Sequence, residues 1–180
     1  RVDGPDTYWV EGHPLEGGRG TLLRRRGTGE TGEVLPLIDG VRLADVGTRV
    51  HEYGGKAYAV HHGVIVFSDR SDGRVYAFDT SEPRRGVRPL TTLSKVRYGD
   101  FWIADERDLV YAVAEDHSGE GEPVNSIVAI PLDGSAARDD AAIVPVFGGT
   151  DFAQAPTVSP DGTKLAWISW NHPNMPWTYS

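Results

Sequence analysis

The sequence predicts an all-β protein built from four-stranded antiparallel sheets, the architecture of a partial β-propeller. Short apolar or alternating segments recur along the whole chain, and each is followed by a turn rich in Gly, Pro or Asp. A proline inside an apolar segment recurs at intervals of 53 and 56 residues, at Pro36, Pro89 and Pro145. Helical periodicity is nearly absent, because only residues 135–142 (SAARDDAA) could form a helical turn, and we expect a loop there.

The clearest hairpin lies in residues 155–170, APTVSPDGTKLAWISW. Pro160 presets the backbone of its turn, and Gly162 accepts the positive φ that such turns require. The LAWISW segment that follows alternates, so that Leu165 and Trp167 share one face of a strand. This strand–turn–strand unit is the pattern to which the rest of the chain can be compared.

The same order of segments recurs along the chain: an aromatic residue, three strands, and an edge strand that carries the proline. The aromatic residues are Tyr53, Tyr98 and Phe152. The predicted strands cover residues 8–11, 21–26 and 34–37, then 56–60, 64–68, 74–79 and 87–90, then 101–104, 109–115, 126–132 and 143–146, and finally 156–158 and 165–170. The chain is therefore expected to hold an incomplete first blade, two full blades and half of a fourth. An antiparallel sandwich of short strands is the alternative fold.

Composition excludes several classes of protein. The 180 residues form one predicted domain with a net charge of −8, which argues against a nucleic-acid partner. No apolar run approaches the ~18 residues of a membrane span, and the absence of Cys excludes disulfides and thiolate metal sites. The chain begins at Arg1 without a signal-like segment, so we expect a processed or truncated piece. A cytoplasmic location is expected, with secretion left open.

The antiparallel order of the strands sorts the connections onto two ends of the sheets. We call the end with the long connections the loop end; it comprises residues 11–19, 49–55, 68–73, 97–100, 115–123, 150–152 and 170–177. We call the opposite end, where the first strand of each blade turns into the second, the turn end; it comprises residues 61–63, 105–108 and 160–162. The loop end gathers carboxylates, His, Arg and aromatic residues, whereas the turns are short. We therefore expect the functional surface at the loop end.

The sequence offers no catalytic residue, metal site or cofactor site. No serine lies in a G-x-S-x-G segment, and adjacent carboxylates such as Glu115 and Asp116 point to opposite faces of a strand. Four histidines are candidate metal ligands by residue type, but none has a metal-binding spacing, and structural hydrogen bonding is the favoured interpretation. These histidines are His13, His51, His117 and His172.

Several segments together resemble the N-terminal propeller of the prolyl oligopeptidase family of serine peptidases, especially its bacterial dipeptidyl-aminopeptidase and acylaminoacyl-peptidase group. They are TYWVEGHPLEGGRGTLL, RVHEYGGKAY, RYGDF, AEDHSG and TDFAQAPTVSPDGTKLAWISWNHPNMPW. The SPDG turn is shared with TolB-like propellers of many functions. The order EGGR, HEYGG and NHPNMPW is more specific, and the resemblance covers residues 7–177.

The resemblance implies a propeller followed by an α/β-hydrolase domain that carries Ser, Asp and His. That domain of the same protein is the implied partner and is absent from these 180 residues; the implied substrate is a peptide or an amide, and self-association is left open. In this family the propeller restricts access to an internal cavity and can bind the free amino end of a peptide. The alternative is a non-catalytic TolB-like propeller that acts as a protein-interaction module.

Three carboxylates at the loop end are the candidates for binding a substrate ammonium group. They are Glu16, Glu52 and Glu115, each on or beside one of the long connections. A second interpretation is that Glu52 and Glu115 bond to arginines or backbone amides and only shape the loops.

Overall fold

The computed structural model describes residues 1–178, which form four antiparallel sheets and no α-helix. The first sheet contains β1 (Val2–Asp3), β2 (Asp6–His13), β3 (Arg19–Arg25) and β4 (Thr31–Glu33). The second contains β5 (Tyr58–His61), β6 (Val64–Ser68), β7 (Val75–Asp79) and β8 (Arg88–Pro89). The third contains β9 (Val96–Ala104), β10 (Leu109–Asp116), β11 (Val124–Pro131) and β12 (Val144–Gly148), and the last contains β13 (Phe152–Val158) and β14 (Leu165–Trp170).

In every sheet the strands lie side by side in chain order, which confirms the predicted all-β fold of four-stranded antiparallel units. The only helical segments in the described residues are short 3-10 turns: Pro14–Glu16, Pro83–Arg85, Asp105–Arg107, Ser135–Ala137 and Asp140–Ala142. Two of these turns lie in the segment that we predicted to be a loop. None of the helical segments in residues 1–178 has the length and apolar character that crossing a membrane requires.

Successive sheets pack face to face, and a cluster of buried side chains lies between each pair. The second sheet shows the alternation most clearly, because Val66 and Ala77 point toward the third sheet, whereas Ile65 and Phe67 point toward the first. Both faces of this sheet are therefore buried. A two-sheet sandwich buries only one face of each sheet, so this packing is that of propeller blades.

The first strands of the sheets lie next to one another along the inside of the stack: β1 contacts β5, β5 contacts β9, and β9 contacts β13. Asp100 connects β9 to the segment that leads into β5 and to β13. Its backbone N–H donates to the carbonyl of Lys56 at 2.9 Å, and its carboxylate accepts the backbone N–H groups of Lys56 at 3.1 Å and Ala155 at 3.0 Å. The turns that follow these inner strands consequently converge at the turn end.

The structure corrects the predicted start of β9. We predicted a strand over residues 101–104 after a loop over 97–100, but the strand begins at Val96. A β-bulge opposite Tyr111 and Val113 shifts the register, and Asp100 at its centre has a φ of 53°. A bulge interrupts the alternation of side chains, so this segment did not read as a strand.

The first sheet also differs from the prediction. We expected three strands, and the short β1 adds a fourth by pairing with β2. The edge strand of this sheet is β4, whereas residues 34–37 lie outside any strand. Val34 and Leu35 instead pack against the cluster between the first two sheets, where Ile38 is fully buried. The apolar character that predicted a strand here therefore serves a buried connection. The other two proline segments are edge strands as predicted, in β8 and β12.

Candidate functional site

At the loop end, Arg97 brings two of the three candidate carboxylates together. Its Nη1 atom lies 2.5 Å from Glu52 Oε1 and 3.3 Å from Glu115 Oε1, and it also donates to the backbone carbonyl of Arg49 at 3.0 Å. Arg97 belongs to β9, which lies between the connection that carries Glu52 and the strand that carries Glu115. We call Arg49, Glu52, Arg97, Glu115 and His117 the Arg97 cluster.

Glu115 is the buried member of this cluster, with 3% of its surface exposed. Its Oε2 atom accepts the backbone N–H of His51 at 2.7 Å, and its Oε1 atom lies 2.6 Å from His117 Nε2 as well as near Arg97. An ionised carboxylate can only accept, so His117 Nε2 carries the proton in this contact. A buried charge is tolerated only when it is paired and hydrogen-bonded, and both oxygens of Glu115 meet that condition.

Glu52 is the accessible member, with 62% of its side chain exposed. It lies in the connection between the first and second sheets and has a φ of 64°. Hydrogen bonds from Arg97 and from Arg49, the latter at 2.7 Å, lower the pKa of the Glu52 carboxyl to about 2. Glu52 therefore stays ionised across the physiological pH range while one side faces solvent.

Glu16 lies apart from the Arg97 cluster. It ends the 3-10 turn Pro14–Glu16 in the first sheet, and its Oε2 atom accepts a hydrogen bond from Arg19 Nε at 2.6 Å. This bond lowers the pKa of the Glu16 carboxyl, whose side chain is 48% exposed. The structure thus joins two of the three predicted residues and leaves the third on a separate sheet.

Two of the histidines take part in hydrogen bonds, as structural histidines are expected to do. His117 contacts Glu115, and His51 Nε2 lies 3.1 Å from Asn125 Oδ1. The His51 ring also packs edge-on against Phe152 and Trp170, at centroid distances of 5.6 and 5.9 Å. His51 therefore helps to hold the connection at Glu52 in place.

Arg97 and Asn125 both organise this region, and neither stands in a motif with a chemical signature. Arg97 stands in RYGDF, a segment that carries the family resemblance, within residues 97–100 that the sequence predicts to be a loop. On β9, directly opposite Glu115, it is the cross-strand partner of that carboxylate.

At the turn end, the inner strands surround an open cavity of about 890 Å³. Its walls come from the first-to-second-strand turns of three sheets, and include His61, Phe101, Asp105, Pro160 and Gly162. Arg107 donates a hydrogen bond to the carbonyl of Gly162, which joins the third and fourth sheets across this end. The sequence predicts no functional residue at this end.

The wall of this cavity carries His61, His62 and Asp105, whose nitrogen and oxygen atoms lie within 4.8 Å of one another. His62 Nδ1 is 2.8 Å from Asp105 Oδ2, and His61 Nε2 is 3.4 Å from Asp105 Oδ1. Partial burial opposes ionisation of Asp105, but the hydrogen bond from His62 and the nearby imidazoles outweigh it and lower the pKa of this carboxyl. Among the described residues, no other group of three His, Asp or Glu side chains is close enough to hold a metal ion.

Neither a protein-family model nor a curated protein sequence matches the chain. Solved structures do match it. A puromycin hydrolase is 37% identical with a TM-score of 0.87, and so is a serine-to-alanine mutant of puromycin hydrolase complexed with PGG. A puromycin-hydrolyzing peptidase of Mycobacterium tuberculosis is 39% identical with a TM-score of 0.83.

Each of these matches covers 98% of this chain, and the chain spans 28% of the length of each of those proteins. The resemblance to the propeller of prolyl oligopeptidase-family peptidases, predicted from the motifs, is confirmed.

Proposed function

Given this similarity to puromycin-hydrolysing peptidases, we propose that the chain is the propeller part of a serine peptidase. It would control access of peptide or amide substrates to an α/β-hydrolase domain in the same protein and help to recognise their free amino end. The observation that carries the proposal is an identity of 37–39% over 98% of this chain. Because residues 1–180 contain no G-x-S-x-G segment, the nucleophile would come from another part of the protein.

The packing of the sheets supports the access role. The inner strands β5, β9 and β13 line the open cavity at the turn end, which we call the axial cavity, and buried clusters between the sheets keep these strands in place. A rigid wall around a cavity excludes substrates that are too large to pass, and it also limits the water that reaches a site beyond it. Short peptides and aminoacyl amides are the substrates of suitable size.

Exposure and charge favour Glu52 as the residue that meets a substrate ammonium group. It is ionised and solvent-facing although Arg97 and Arg49 contact its oxygens, whereas Glu115 is buried and is better suited to position Arg97. Glu16 is also exposed but has a single arginine partner in a different sheet. A charge-assisted contact with an ammonium contributes roughly 1.5–3 kcal/mol, so its loss lowers kcat/KM about 10- to 150-fold.

The test uses the full-length protein that contains this chain, assayed on puromycin, on a dipeptide amide with a free amino end, and on its N-acetylated form. Puromycin carries a free aminoacyl amino group. We expect hydrolysis of the free-amino substrates and a selective loss of kcat/KM for them in Glu52→Gln. Glu16→Gln tests the second exposed carboxylate in the same way.

Glu82→Gln is the matched control, because Glu82 is an exposed glutamate that pairs with Arg85 at 2.7 Å with the same sequence spacing as Glu52 and Arg49. This variant should behave as wild type. Equal losses on free-amino and blocked substrates in Glu52→Gln, with a lower Tm, would assign Glu52 to loop structure instead. Failure of the full-length protein to hydrolyse any of these substrates would reject the peptidase function and favour the interaction module.

A further inference from the structure

Two adjacent histidines at the turn end present their rings on the same side of the chain. His61 ends β5, and His62 with Gly63 forms the two-residue turn to β6. Neighbouring residues in a regular strand point to opposite faces. Here His62 and Gly63 have φ values of 48° and 81°, and the two imidazoles stack at a centroid distance of 3.9 Å. The turn therefore brings two nitrogen ligands together.

A carboxylate from the next sheet completes the group. Asp105 follows β9 in the third sheet, and its two oxygens lie 3.4 Å from His61 Nε2 and 2.8 Å from His62 Nδ1. Ligands bound about 2.0–2.2 Å from a tetrahedral Zn²⁺ are roughly 3.3–3.6 Å apart, which matches the 3.4 Å between His61 and Asp105. The 2.8 Å between His62 and Asp105 is a hydrogen-bond distance, which would lengthen when an ion replaced the shared proton. Two imidazoles and one carboxylate are a ligand set typical of zinc.

The residues around these side chains orient them. The carboxylate of Asp3 accepts the backbone N–H groups of His62 at 3.0 Å and Gly63 at 2.7 Å, which fixes the turn. Asp105 Oδ1 also accepts the backbone N–H of Glu106 at 3.1 Å. Contacts of this kind hold metal ligands in place, and the nearby negative charge of Asp3 favours a cation.

We propose that His61, His62 and Asp105 bind a divalent transition-metal ion, best matched by Zn²⁺, which ties the second sheet to the third at the mouth of the axial cavity. The fourth position is left to water, since the cavity is open on that side. This inference does not depend on the peptidase function. The ion joins neighbouring blades and need not touch a substrate.

The test is a calorimetric titration of the chelator-treated full-length protein with Zn²⁺, with Co²⁺ absorption as a second readout of tetrahedral nitrogen and oxygen ligands. Wild type is expected to bind one equivalent that Asp105→Asn and His61→Gln lose. Changing a residue that only supports a metal ligand lowers the metal affinity roughly 10- to 100-fold. Because each variant removes a ligand itself, we expect its Zn²⁺ affinity to fall by at least that factor. Zn²⁺ should also raise the Tm of wild type and leave that of Asp105→Asn unchanged.

Asp105→Asn keeps a side-chain acceptor for His62, so its metal-free Tm should be close to that of metal-free wild type. A variant that has this Tm but does not bind Zn²⁺ has lost a ligand and not its fold. His172→Gln is the matched control, because His172 lies at the loop end and bonds through its backbone N–H to Asp151. It should bind Zn²⁺ as wild type does. Identical titrations of wild type and both cluster variants, or no saturable binding, would overturn the proposal.

Discussion

The two ends of the sheets use polar side chains in opposite ways. At the loop end, Glu115 is 3% exposed and bonds to a residue 64 positions away in the chain, the backbone of His51. At the turn end, His61, His62 and Asp105 stand partly exposed on the wall of a cavity. The many charged residues of the loop end predicted the functional surface there, yet several of these side chains form hydrogen bonds and ion pairs within the protein.

A second network at the loop end shows the same behaviour. Asp69 is fully buried, and its carboxylate accepts Arg42 Nη1 at 2.9 Å and the backbone N–H of Asp45 at 3.1 Å. Arg42 also pairs with Asp72 at 2.6 Å. Long connections reach across to neighbouring sheets and bury the side chains that bond to one another. The short turns also contact one another, through Asp105 and Arg107, but the side chains of His61 and His62 stay exposed to solvent.

The largest expected effect comes from removing the buried carboxylate of the loop end. Glu115→Ala should lower the free energy of unfolding by about 3 kcal/mol, the lower end for a broken buried pair because Arg97 is partly exposed. The change leaves the backbone N–H of His51 and the ring of His117 without their carboxylate partner, and it removes one of the two carboxylates that pair with Arg97. Urea unfolding of the full-length protein measures it. Glu120→Ala, at an exposed position of the following loop, is the control, and an equal loss in both variants would contradict the account.

A slightly smaller effect is expected between the two ends, where Asp100 joins the inner strands. Asp100→Ala leaves the backbone N–H groups of Lys56 and Ala155 without their side-chain acceptor, which should cost about 2 kcal/mol. Asp100→Asn keeps one of the two acceptor oxygens and tolerates the positive φ, so it should recover about half of the loss. A matching loss in both variants would show that a single remaining acceptor does not hold the strands together.

At the turn end, the metal-free protein should be much less sensitive. Asp105→Asn should change the free energy of unfolding by less than about 1 kcal/mol in the presence of a chelator, because exposed ion pairs contribute little. Thermal unfolding with chelator measures this difference. A loss as large as that of Glu115→Ala would remove the contrast between the two ends.

The smallest effect concerns pH and Glu52. Because the pKa of the Glu52 carboxyl is lowered from 4.5 to about 2, its contribution is present above pH 4.5 and is lost as the pH falls toward 2. The Tm difference between wild type and Glu52→Gln should stay constant from pH 7 to 5 and shrink between pH 4.5 and 2. A difference that remains constant down to pH 2.5 would show that Arg49 and Arg97 do not stabilise the ionised form.

The strands were predictable wherever the alternation was regular. The bounds of β6 and β14 match the prediction, because their side chains alternate without a break and a turn follows or precedes them. The start of β9 was missed because its bulge at Asp100 disturbs the alternation. The prediction of a strand over residues 34–37 is wrong because apolar side chains that fill an irregular connection have the same sequence pattern as those of a strand.

The candidate site was less predictable than the fold, since it depends on contacts between distant segments. Glu52 and Glu115 were both identified, but the sequence does not show that Arg97 joins them or that only Glu52 is exposed. His61 and His62 lie in an ordinary hairpin turn, and Asp105 follows more than 40 residues later. Their proximity follows from the way the sheets stack around an axis, which no local pattern encodes.

The most direct test of the peptidase assignment is labelling of the full-length protein with a fluorophosphonate probe, followed by mass spectrometry of the labelled peptide. An activated serine reacts with such a probe, and the chain described here has no serine in a nucleophile segment. We expect a single labelled serine outside residues 1–180, within a G-x-S-x-G segment. Labelling of a serine within residues 1–180, or of none in the full-length protein, would contradict the account.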